Sequence, residues 1–184
     1  MSTTTEEARD LARLDSAGQH AGIIKSHYPY WDSYFRPSLL AAVDRLPAEH
    51  FDFKPRPEML TARQQILHIG EAELWWVSHI VDGEAFADYT LEADDKADGW
   101  VTVYDAPDQN ALRFTLEEAH RHTQRWFGFP VAELDRVITH RRPDGTERRF
   151  TLHWILDHVQ EHELHHRAQL CTYLRLLGIA PPQV

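Results

Sequence analysis

Of 184 residues, 42% are apolar and 26% charged, the composition of one globular domain large enough to bury a core without covalent staples. The single cysteine, Cys171, excludes an internal disulfide and fits a reducing, cytoplasmic setting, while 19 basic against 29 acidic residues leave a net charge of −10 that disfavours nucleic acid and anionic lipid as partners. No stretch reaches the roughly 18 to 20 apolar residues of a membrane span, and the polar, acidic start carries no signal-peptide core.

Residues 1–22 read as an N-terminal arm, loose or holding a short helix around Glu6 to Leu14, and residues 23–184 as one helical domain. From His27 to Leu46 the apolar positions Tyr30, Tyr34, Leu39, Val43 and Leu46 follow helical spacing, with Pro29 and Pro37 marking a start or a kink. Pro47, Pro55 and Pro57 break the chain before the next helix. That second helix opens on Thr61 and Gln64, spaced as a capping box, and Ile66, Ile69, Leu74, Val77 and Ile80 carry it to Asp82 and a stop at Gly83. Its span corresponds to about 31 Å, which is bundle length.

Glu84 to Pro107 is acidic and without a long periodic pattern, and reads as a long loop. Helix three runs from Asp108 to about Phe127 on Leu112, Thr115, Leu116, Ala119 and Trp126, ending at Gly128 and Pro130. Val137 and Ile138, the turn residues Pro143, Asp144 and Gly145, and then Phe150 and Leu152 spell either a two-stranded ribbon or a loop. Thr151 caps helix four, which carries Ile155, Val159, Leu170, Leu174 and Leu177 before Gly178, Pro181 and Pro182. The expected fold is an all-α four-helix bundle with a long loop after helix two and a small β-hairpin before helix four.

Thirteen histidines are unusual for this length, and His153, His158, His162, His165 and His166 fall in one segment. His162 and His166 are four residues apart, so their side chains lie one turn apart on the same helix face and both can reach one ion. His158 and His166 are about 12 Å apart along a straight helix, too far for both to hold that ion. An open catalytic site needs a third protein ligand, and imidazole suits zinc, nickel, iron and copper. No His, Asp or Glu follows His166, so the third ligand lies upstream, and His68 on helix two is the candidate. A lone helical histidine is ordinarily a surface group or a hydrogen-bonded core residue, and His20, His27, His50, His120, His122 and His140 are read so. Residues 162–166 also spell the HExxH pattern of zinc peptidases with Glu163 as base, but the commoner peptidases of that kind take a third ligand downstream, and none exists here.

Three stretches together resemble the DinB-like family of four-helix-bundle proteins, also called the YfiT or damage-inducible DinB superfamily. They are the "LP" turn leading to "FKPRP" at Leu46 to Pro57, "TARQQILHIGEAELWW" from Thr61 to Trp76, and "HVQEHELHHRAQLCTYLRLLGIAPP" from His158 to Pro182, with its HxxxHxxHHRGQ-like core. The resemblance implies a divalent metal, zinc or nickel, held by His68 from the second helix and by His162 and His166 from the last. Arg167 and Gln169 match the family's Arg and Gln, for which packing or support of the ligands is expected. Ala168 stands where the family carries glycine, and its methyl tightens a helix contact or narrows the pocket.

The resemblance further implies a thiol-dependent transferase or isomerase that uses a low-molecular-weight thiol such as mycothiol, bacillithiol or glutathione on a small-molecule substrate, in a homodimer. The alternatives are hydrolysis by metal-activated water, or a non-enzymatic metal- or ligand-binding stress protein. Trp75, Trp76 and Tyr173, with Tyr30 or Trp31, are the candidate pocket walls, and His158 and Glu163 the candidates for orienting ligands or moving a proton.

Overall fold

The computed structural model describes residues 22–84, 106–142 and 144–183. The expected arm thus lies almost wholly outside the described residues, as do the loop between Glu84 and Ala106 and Pro143 of the turn. A short helix α1 (Ile24–His27) leads into a π-helical turn (Trp31–Phe35) and then α2 (Arg36–Asp44). Helix one is therefore not continuous from His27. Pro29 cannot donate within a helix, and Pro37 sits in the first turn of α2, where its missing N–H costs nothing.

The second helix, α3 (Ala62–Leu74), starts on the capping box expected of it. Thr61 Oγ1 accepts from the Gln64 amide at 3.1 Å, and the Thr61 amide donates to Gln64 Oε1 at 2.9 Å. Beyond Leu74 the rod widens into a π-helical segment, Trp75–Val81, where the Asp82 amide donates to the Val77 carbonyl five residues back at 3.0 Å. Gly83 then turns the chain in the left-handed region (φ +72°).

Helix α4 (Gln109–Phe127) is capped by Asp108, and α5 (Leu152–Leu176) by Thr151, whose Oγ1 accepts from the Trp154 amide at 3.1 Å. Between them β1 (Val137–Arg141) and β2 (Glu147–Thr151) pair antiparallel with Ile138 opposite Phe150 and His140 opposite Arg148, so the ribbon forms. The architecture is a helical bundle with one small hairpin. Among the described residues no helix is long and apolar enough to cross a membrane.

The core has two apolar halves. One gathers Leu39, Val43, Ile66, Leu112, Leu116, Leu170 and Leu174, and the other Ile24, Trp31, Val77, Phe127, Leu152 and Ile155. Glu73 of α3, His120 of α4 and Glu163 of α5 each fall, in their own helix, between residues of the first half and residues of the second. They meet Arg36 of α2 there. Its guanidinium contacts Glu73 Oε2 at 2.5 Å and Glu163 Oε2 at 2.7 Å, and His120 Nδ1 lies 2.9 Å from Glu73 Oε1. Trp31 Nε1 donates to Glu163 at 2.8 Å and Thr123 Oγ1 to Glu73 at 2.6 Å, so the buried charges are largely satisfied.

Burial alone would raise the Glu73 carboxyl, but Arg36 and then His120 outweigh it and hold it down to about 2. For Glu163 burial prevails over Arg36, and its carboxyl is pushed up. One buried cation thus keeps one of its two carboxylates firmly ionised.

The backbones of α3 and α4 approach closely at Gly70, where an added Cβ would stand 3.1 Å from Thr115 Cγ2. Gly70→Val should therefore lower the urea-unfolding free energy by about 1–3 kcal/mol through overpacking. Unchanged stability would show that Thr115 can move aside.

Candidate metal centre and its cavity

Helix periodicity brings His162 and His166 to one side of α5, and the fold turns that side toward His68 on α3. The ring centroids form a tight triangle, 4.8 Å for His68 to His162, 4.8 Å for His68 to His166 and 4.3 Å for His162 to His166. His162 Nε2 faces His68 Nε2 at 3.0 Å, and one nitrogen from each of the three rings lies within 4.8 Å of the other two. Nitrogens bound at 2.0–2.1 Å to a tetrahedral ion are about 3.4 Å apart, so the donor set and its spread fit one divalent cation. Spacing within α5 accounts for His162 and His166, and the fold adds His68 from α3.

Burial is the first cause that depresses these imidazoles, and mutual repulsion adds to it. His162 is held down to about 2 by burial and then by His166 and His68. His166 is held to about 4 by burial and His68, against the opposing hydrogen bond that it donates to Gln169, and His68 is lowered by burial. Without a cation the trio is neutral, the protonation state in which imidazole ligates metal.

His166 Nδ1 lies 2.9 Å from Gln169 Oε1, a bond that leaves Nε2 free to ligate. The Gln65 amide donates to the same Gln169 oxygen at 2.5 Å and also lies against His166 Nδ1. Gln169 thus supports the ligands, with Gln65 of α3 as a partner that spacing within one helix does not reveal. Arg167 instead packs its guanidinium over Phe35, 5.8 Å from the ring centroid.

Beside the trio opens a cavity of about 510 Å³, lined by His68 and His162 at one side, by Trp75 and Trp76, and by His140, Arg142, Arg148 and Phe150 from the hairpin. His68, Glu71, Ala72, Trp75 and Trp76 recur at i, i+3, i+4, i+7 and i+8, so both tryptophans lie on the helix face that lines the cavity. His158 also lines it, stacked on Trp154 with centroids 4.9 Å apart and planes at 8°. Glu71, one turn beyond His68, adds a buried carboxylate to the wall.

Four of the expected wall and proton-transfer residues lie elsewhere. Tyr173 is buried in the first core half, edge-on to Phe53, with its hydroxyl donating to the Leu60 carbonyl at 3.1 Å. Glu163 follows His162 in sequence and therefore points away from the trio, into the Arg36 cluster. Trp31 is fully buried beside Glu163, and Tyr30 is 63% exposed. The hairpin's contribution carried no advance signal, because it depends on how the ribbon folds back over α3.

A second group of potential ligands, Asp82, Glu84 and His122, is bridged by Arg125, which contacts Asp82 at 2.8 Å and Glu84 at 3.1 Å. One of its two carboxylate charges is thereby offset.

Comparison with known proteins places this geometry in context. The profile described as the DinB family matches residues 23–184. Among solved structures, a DinB-like protein from Bacillus cereus ATCC 10987 superposes with a TM-score of 0.62 at 17% identity, covering 88% of this chain and 97% of that one. A DinB-like protein, YjoA, from Bacillus subtilis gives a TM-score of 0.59 at 21% identity over 81% of this chain and 90% of the other. These likenesses establish the fold. No curated protein sequence matches.

Proposed function

The chain belongs to the DinB family, and from that premise we propose a metal-dependent enzyme in which His68, His162 and His166 hold one divalent cation, zinc or nickel, to activate a low-molecular-weight thiol for S-transfer or isomerisation of a small-molecule substrate. The observation that carries the reading is the convergence of three imidazoles from two helices at the edge of a cavity of about 510 Å³. Structural metal sites close around their ion with four protein ligands, whereas catalytic ones keep a position open to a cavity. When bound, such a cation supplies a Lewis-acid position at which a thiol or water gives up its proton near neutral pH. The preference for a thiol over water comes from the family resemblance.

The protein's own groups supply orientation and shelter. Gln169 fixes the ring of His166. Trp75, Trp76 and Phe150 give the cavity an aromatic wall. His158, held flat against Trp154 at the cavity edge, is placed to relay a proton between a bound molecule and solvent. The same resemblance carries a homodimer, which sedimentation would read as twice the chain mass, and the lone cysteine carries the cytoplasmic setting.

The test is elemental analysis of the purified protein followed by conjugation assays with monochlorobimane and each candidate thiol. About one zinc or nickel per chain, with thiol consumption that a chelator abolishes, is the expected result. Thiol-independent ester cleavage would replace the thiol reading with the hydrolytic one. Metal retained without either turnover would leave a sequestering protein, and a metal-free protein would overturn the proposal.

A further inference from the structure

The hairpin brings two guanidinium groups to the cavity wall, whereas α3 brings the buried carboxylate of Glu71. Strand residues alternate sides, and the side turned toward α3 carries Ile138, His140 and Phe150, of which Ile138 is buried in the core. His140 packs on Trp75 with centroids 5.6 Å apart, and Phe150 packs edge-on against Trp76 at 5.2 Å. These aromatic contacts bolt the ribbon to the π-helical segment. Arg148 lies directly opposite His140, and the Arg142 amide donates to the Thr146 carbonyl at 2.8 Å, which continues the pairing one step toward the turn. Arg142 and Arg148 are therefore diagonal neighbours on the same face, about 7–8 Å apart at the backbone, and both line the cavity.

Their neighbours on the opposite face behave differently. Arg141 is bound by Glu147 at 2.7 Å. Arg142 and Arg148 have no ion pair within 4.0 Å among the described residues, in a chain with a net charge of −10 and ample carboxylates to provide one. Two guanidinium forks without ion pairs, on one face of the ribbon beside an aromatic-walled cavity, have the chemistry of a carboxylate clamp, because each fork can present parallel N–H donors to a shared anion.

We propose that Arg142 and Arg148 bind the carboxylate of a planar, largely apolar substrate whose ring lies against Trp75, Trp76 and Phe150 and whose far end reaches the histidine trio. The assignment names the substrate class of the proposed enzyme, and it rests on the reading of His68, His162 and His166 as that enzyme's metal centre. The arginines are specificity residues. They hold the anion at the ribbon and leave the opposite end of the molecule to react.

The test compares 2-naphthoate with its neutral isostere 2-naphthamide, by tryptophan-fluorescence titration of the metal-loaded full chain at low salt, with metal content measured on the same samples. The wild-type protein should bind the acid at least about tenfold tighter than the amide, a preference worth about 1.4 kcal/mol that weakens as salt is added. An Arg142→Gln, Arg148→Gln double variant should lose the preference while keeping its affinity for the amide, its helical circular dichroism and its metal.

No preference in the metal-loaded wild-type protein overturns the clamp and leaves the metal centre intact. A preference that survives the double substitution but disappears with a chelator places the carboxylate on the histidine centre, and it also overturns the clamp. A metal-free protein that still prefers the acid through these arginines supports the clamp and removes the metal-centre reading.

Discussion

Replacing His162 with alanine should lower affinity for zinc or nickel by at least about 100-fold, measured by competition with a chromophoric chelator. His162 touches both of the other rings, with Nε2 facing His68 at 3.0 Å and its centroid 4.3 Å from that of His166. Its removal leaves two ligands on two helices with nothing to close the set. Loss of a supporting contact alone costs 10- to 100-fold in such sites, so Gln169→Ala should weaken binding by about tenfold and serve as a graded control.

The same ion should stabilise the fold by mass action. At a free concentration 100 times the dissociation constant the gain is about 2.7 kcal/mol, or roughly 5–10 °C in melting temperature for a chain of this size. His162→Ala should melt at a temperature that does not respond to metal. Because that variant also leaves a void, His162→Gln, which fills it without an imidazole, should show the same unresponsiveness. Tight binding by either variant would exclude His162 as a ligand.

Arg36→Met should be the most destabilising single substitution in the bundle. Arg36 is buried and is the cation shared by Glu73 and Glu163, so its loss strands two carboxylates in the core. Breaking a buried pair from one side typically costs about 3–5 kcal/mol, which corresponds to a melting temperature lower by roughly 6–20 °C. Arg36→Met with Glu73→Gln should recover part of that loss, since the remaining carboxyl, Glu163, is the one burial already pushes toward its neutral form.

The pH dependence has a definite sign. Glu73 has an ordinary value of 4.5 and is held to about 2 when folded. Between those values the unfolded chain binds the proton and the folded one does not. Its contribution, up to about 3 kcal/mol, is therefore complete above pH 4.5 and declines as the pH falls toward 2. Glu163 acts in the opposite sense. Its raised value makes the protonated form the one the fold prefers, so its contribution is greatest in acid and declines as the pH rises through that value. Without Arg36 both carboxyls follow the Glu163 pattern, and the gap between wild type and Arg36→Met in urea unfolding should narrow as the pH falls from about 5 to about 3. A gap that widens in acid would mean that Arg36 is not the group holding Glu73 ionised.

Local chemistry made much of the architecture legible. Thr61 with Gln64, Asp108 and Thr151 each cap a helix where the residues specify it, and Gly83 and Gly178 end helices in left-handed turns. The i, i+4 spacing of His162 and His166 specifies one side of the histidine triangle, and the lack of any later ligand type points upstream to His68. What stayed hidden was tertiary. Arg36 and Glu73 are 37 residues apart and look like ordinary surface charges taken singly.

A signal for the buried cluster was nonetheless present. Glu73 continues the row Ile69, Glu73, Val77, and His120 the row Leu112, Leu116, His120, so each polar group occupies a core position in an apolar stripe. The hairpin's share of the cavity had no comparable cue. His140 and Arg148 meet only through strand register, and no residue pattern announces that the rod widens into a π turn beyond Leu74.

That widening separates two kinds of change along one rod. A π turn is an α-helix with a supernumerary residue, so deleting one position between Trp75 and Val81 would restore ordinary winding and swing everything beyond it by about 100°. Asp82, which accepts from Trp126 Nε1 at 3.0 Å, would lose that anchor, while His68 on the preceding stretch would keep its orientation. The winding of this segment therefore sets how the far end of the rod meets α4, while the imidazole end is oriented independently of it.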